Sequence, residues 1–83
     1  MKIQVTEDDI LLGVQGDCKE CPVANALNRI FPDAKIISVI DFSAIMLLKD
    51  GSTKSYSLPS IASDFIHNFD MGRKVYPFEF EIE

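Results

Sequence analysis

Ala44-Ile45-Met46-Leu47-Leu48-Lys49, Asp50-Gly51, and Thr53-Lys54-Ser55-Tyr56-Ser57-Leu58 decide the fold of this chain. The first run is nearly all apolar and β-type, which predicts a central strand covered on both faces or nearly so. Asp50-Gly51 is a strong hairpin signal, because glycine supplies the positive φ that a tight turn needs. The return run places Lys54, Tyr56 and Leu58 on one side and Thr53, Ser55 and Ser57 on the other. Just upstream, residues 35–40 (Lys-Ile-Ile-Ser-Val-Ile) form another β-type run. Three consecutive strands joined in this way predict an antiparallel meander.

Helical patterns flank the meander. Pro22 is tolerated at a first helical position, and Val23, Leu27, Ile30 and Phe31 then make one apolar stripe, with Asn25, Asn28 and Arg29 opposite. Ala24 and Ala26 allow a close approach, and Pro32-Asp33 ends the segment. After the meander, Pro59 and Ser60 open a helix. Its inner face is expected to be Ile61, Ala62, Phe65, Ile66 and Phe69, its outer face Ser63, Asp64, His67 and Asp70, and its C-terminal stop Gly72. Near the N-terminus, Thr6 can cap a two-turn helix whose acids, Glu7, Asp8 and Asp9, suit the positive end of the helix dipole. Ile10, Leu11 and Val14 are expected to face inward there.

Two further strands close the pattern. Met1, Ile3 and Val5 alternate with Lys2, Gln4 and Thr6. Tyr76, Phe78, Phe80 and Ile82 alternate with Pro77, Glu79, Glu81 and Glu83. The order is β-α-α-β-β-β-α-β, so residues 1–83 are expected to form a single α+β domain. Its sheet is expected to be five-stranded and largely antiparallel, with the helices on one face.

The totals bound the function. Thirteen acids against eight bases give a net charge of −5, and only Arg73-Lys74 among the bases are adjacent. This argues against nucleic acid as the partner, because phosphate binding needs clustered Lys and Arg. No run is long enough for a membrane span and no signal peptide is evident, so a cytoplasmic location with reduced thiols is the expectation.

The only two cysteines form Cys18-Lys19-Glu20-Cys21-Pro22. As a redox pair, they would use the helix N-terminus to stabilise a thiolate, but thioredoxin-like motifs directly follow a strand, and here a glycine-rich turn precedes. As half a zinc site, they lack a second pair. The single histidine, His67, would have to join them with Asp17, Asp64 or Asp70, or a dimer would have to share the site. The third reading is packing, with both thiols filling the corner where the helix begins. No nucleophile is tied to His67 and no phosphate loop or cofactor fingerprint is present, so no catalytic residue and no cofactor are assigned.

Two segments, Gly16-Asp17-Cys18-Lys19-Glu20-Cys21-Pro22-Val23-Ala24-Asn25-Ala26-Leu27 and residues 69–82, resemble small proteins of bacteria and their phages. Those share a C-x-x-C-P-x-A-x-A-L helix start and an F-D-x-G-x-x-V-x-P-F-x-F tail. The resemblance implies a compact accessory protein, phage- or mobile-element-borne, with an interaction role that includes modulating host defence. The expected function is therefore a non-enzymatic binding module that occupies a protein partner or sequesters a small ligand. Its contact residues would be Ser63, Asp64, His67, Arg73 and Lys74, and an edge strand would allow a homodimer. A thiol-redox or zinc protein acting through Cys18 and Cys21 is the alternative.

Overall fold

The computed structural model describes residues 1–40 and 42–82. The elements run β1 (Lys2–Val5), α1 (Glu7–Leu11), α2 (Pro22–Ile30), β2 (Ala34–Ile40), β3 (Ser43–Leu48), β4 (Thr53–Ser57), α3 (Ser60–Asp70) and β5 (Phe78–Glu81). This is the expected α+β order. The strands do not form one five-stranded sheet. β1 and β5 make a two-stranded antiparallel ribbon, and β2-β3-β4 make a separate antiparallel meander.

The division has a local cause. Pro59 follows Leu58 and is the N-cap of α3, its ring-fixed φ of −67° leading into the helix, so the chain leaves the meander there. β5 returns to β1, where Ile3 pairs with Phe80 and Val5 with Phe78. Phe78 is held by Phe65 of α3, with ring centroids 4.5 Å apart, and by Phe80 at 5.6 Å. Between β4 and the end of the ribbon lies an open cleft of about 710 Å³, walled by residues 55–59 on one side and by Met1, Glu81 and Ile82 on the other.

The core joins both sheets. Ile3, Val5, Phe80 and Ile82 from the ribbon meet Ile37, Val39, Ala44, Met46 and Leu58 from the meander, with Val23, Leu27, Ala62, Phe65 and Phe69 from the helices. Ala24 and Ala26 are fully buried, in keeping with the close approach their size allows. The α2 stripe is as expected: Val23 and Leu27 are buried, and Ile30 and Phe31 pack against the core.

Apolar expectations are overturned at four places. Leu11 and Val14 are exposed, although Ile10 packs on the core. α1 has five residues, too few to present a stripe, and its inward position is taken by Asp9. Asp9 closes a capping box: its carboxylate accepts from the Thr6 amide at 2.9 Å, and the Thr6 hydroxyl accepts from the Asp9 amide at 3.3 Å. Arg29 of α2 donates to the same Asp9 oxygen at 2.8 Å and to the Gln4 carbonyl at 3.0 Å, tying β1, α1 and α2 together. Ile61 and Tyr76 are exposed too, because Ile61 is in the first turn of α3 and β5 begins only at Phe78. Finally, β3 is covered on one face only. Ala44 and Met46 are buried, whereas Ile45 is 43 % exposed.

Candidate functional site

The Cys18–Cys21 corner is held from three sides. The Gly16 amide donates to Asp70 of α3 at 3.0 Å, the Lys19 amide donates to Asp17 at 2.9 Å, and the Val39 amide of β2 donates to the Cys18 carbonyl at 2.8 Å. Cys21 is the N-cap of α2, and its Sγ accepts from the Ala24 amide at 3.4 Å. Both thiols are free, but they are not equivalent. Cys21 is buried and Cys18 is exposed, so the expectation that both fill a packed corner holds for Cys21 alone. The hydrogen bond that fixes Cys18 to β2 runs through its carbonyl and leaves its side chain exposed. Burial pushes the Cys21 thiol above its ordinary value, outweighing the helix amides of Ala24 and Val23, which pull it down.

Cys18 and Cys21 line one side of a cleft of about 420 Å³. Ser63, Ile66, His67 and Asp70 of α3 line the other, and Val39, Ile40 and Phe42 its floor and rim. The structure thus brings Ser63 and His67 to the cysteines. It sends Asp64 and Lys74 to a different groove, beside Ile61, Asn68 and Tyr76. Arg73 is bound to Asn68, from Nη1 to Oδ1, at 3.0 Å, and Lys74 sits 5.6 Å from the centre of the Tyr76 ring. The five expected contact residues therefore do not form one surface. Among the described residues, no three His, Cys, Asp or Glu side chains are grouped to hold a metal ion.

The register of the meander reveals a surface that the sequence reading did not single out. Cross-strand rows place Ile36, Leu47 and Thr53 side by side, then Ser38, Ile45 and Ser55, then Ile40, Ser43 and Ser57. These nine side chains share the face opposite to the buried Ile37, Val39, Ala44 and Met46. None of the nine is charged, in a chain of which a quarter is charged. Ile36, Ile40 and Ile45 are exposed on it, and Phe42, 63 % exposed, links it to the cysteine cleft. The signal was available in sequence as the exclusion of charge from alternate positions of three successive strands.

No protein-family model, curated protein or solved structure matches the chain. Among the described residues, no helix is long and apolar enough to cross a membrane.

Proposed function

We propose that this chain is a small non-enzymatic interaction protein that docks a protein partner on the outer face of the β2-β3-β4 meander. One observation carries the reading: nine uncharged positions on three paired strands, among them the exposed Ile36, Ile40 and Ile45. A sheet face in contact with water normally alternates apolar-in with polar or charged-out. Here four of the nine outward positions are Ile or Leu, set beside five Ser and Thr, and exposed apolar side chains gathered on one face of a small domain mark an interaction site. The lack of charge on the face and the net charge of −5 favour an apolar protein surface over a phosphate backbone as the occupant. The accessory role implied by the phage-protein resemblance is of the same kind.

The test is a photo-crosslinking residue at Ile45, with the same residue at Glu7 as control, in cells that express the chain. A discrete heterologous adduct from position 45 only, lost in Ile36→Lys, is expected. Equal labelling from both positions sinks the reading.

Thiol chemistry is the second reading, favoured by the cleft that places exposed Cys18 on the same wall as Cys21, opposite His67. Against it, burial holds Cys21 in the thiol form. Under this reading Cys18→Ser abolishes activity in a protein that still folds; under the docking reading it leaves partner capture intact.

A further inference from the structure

The two sheets have four outer strand edges, and three of them are blocked. On β2, the outward Val39 amide is taken by the Cys18 carbonyl, and the ladder is broken by an irregularity between Ala34 and Ile36. On β1, the Gln4 carbonyl is taken by Arg29. β5 is four residues long, follows Pro77 and carries Glu79 and Glu81. These are the ordinary means by which edges are kept from pairing with other chains.

β4 carries only a single charge, Lys54, on a five-residue strand. In the β3–β4 ladder, Leu48 donates to Ser52 and Leu58 to Phe42, which fixes the alternation. Tyr56 and Lys54 direct their backbone groups to β3, and Thr53, Ser55 and Ser57 direct theirs outward. Among the described residues, no hydrogen bond reaches those three outward amides. The strand has no proline, no bulge and one charge, Lys54, and the 710 Å³ cleft lies open beside residues 55–59.

We propose that β4 pairs antiparallel with β4 of a second copy, making a continuous six-stranded sheet. Self-pairing is favoured because one register satisfies both geometry and charge. The outward groups meet only if odd residues oppose odd residues. With Ser55 opposite its own copy across the two-fold axis, Thr53 faces Ser57 of the partner subunit and Lys54 faces Tyr56 of the partner subunit. The register shifted one way sets Lys54 against itself, and like charges directly opposed are destabilising. The chosen register has no like-charge pair, which matters for two copies that each carry −5. The proposal concerns the edge and holds whether or not the sheet face meets another protein.

The test uses the self-opposition of Ser55. Sedimentation equilibrium of the whole chain from micromolar to millimolar concentration is expected to show a mass rising from 9.3 kDa to twice that value. Ser55→Lys and Ser55→Glu each oppose like charges at the axis, and each is expected to remain monomeric. Mixed together they are expected to restore the dimer. Circular dichroism of each variant confirms that loss of the dimer is not loss of the fold. A wild-type monomer at the highest concentration overturns the proposal. So does a dimer that survives Ser55→Lys, or one that Ile45→Lys dissolves, because that substitution alters the face and leaves the edge untouched.

Discussion

Cys18 and Cys21, three residues apart, should differ in thiol reactivity by orders of magnitude. Cys21 is 2 % exposed and its sulfur caps α2, so a reagent reaches it only when the start of the helix opens. A domain of 83 residues has a global stability of roughly 4–12 kcal/mol. If opening at Cys21 requires the low end of that range, about 4 kcal/mol, its alkylation is slowed roughly 10³-fold, at about 1.4 kcal/mol per tenfold. Cys18, exposed, reacts without opening. The assay is a time course with iodoacetamide at pH 8, quenched and read by peptide mass spectrometry, with and without urea. The expected result is fast, stoichiometric labelling at Cys18 and labelling at Cys21 that accelerates only as urea approaches the unfolding midpoint. Native rates within about tenfold of one another would mean that opening costs less than about 1.4 kcal/mol, and would refute Cys21 as a buried cap.

Other expectations are equally concrete. The folded Cys21 pKa lies above the unfolded value, so its contribution to stability is complete below that value and is lost as pH rises past the ordinary 9.0 toward the folded pKa. Urea melts at pH 8 and above pH 9 should therefore show a smaller decline for Cys21→Ser, which keeps a capping oxygen, than for the parent. Asp9→Ala removes a capping-box acceptor and a charge-assisted bond, and should cost about 2 kcal/mol. A double-mutant cycle with Arg29→Met should return a coupling of about 1 kcal/mol, modest because the arginine is half exposed. Gly13→Ala would set a methyl 2.8 Å from the Pro22 ring and 3.0 Å from Phe69, and should lower stability by about 1–3 kcal/mol in thermal melts.

The element order was legible because the meander, the α2 stripe and the alternating β5 segment each carry a strong period. The partition into two sheets was not. A period of two says which face of a strand is buried and is silent on its neighbour, so β5 gave no sign that it pairs with β1 and leaves β4 open. The cysteine spacing was equally silent on inequality. What separates Cys18 from Cys21 is that one is the N-cap and the other contributes its carbonyl to β2, a contact set by tertiary packing. Asp9 read as a simple dipole partner, and its burial depends on Arg29, twenty residues away. Ser63 and His67 were placed on a common helix face and do share a cleft. Asp64 and Lys74 meet in a second groove because residues 71–77 turn back along α3. The bare sheet face follows from register, which becomes readable once the hairpin turns are fixed.

Amide hydrogen exchange resolved by residue tests most directly whether the β4 edge, beside the uncharged sheet face, is open. The amides of Thr53, Ser55 and Ser57 point away from β3, so in dilute monomer they should exchange much faster than those of Lys54 and Tyr56. As protein concentration rises, Ser55 should become protected while Glu7, on exposed α1, stays unchanged. Rates at Ser55 that do not vary with concentration, or protection at Ser55 already complete in dilute monomer, would contradict it.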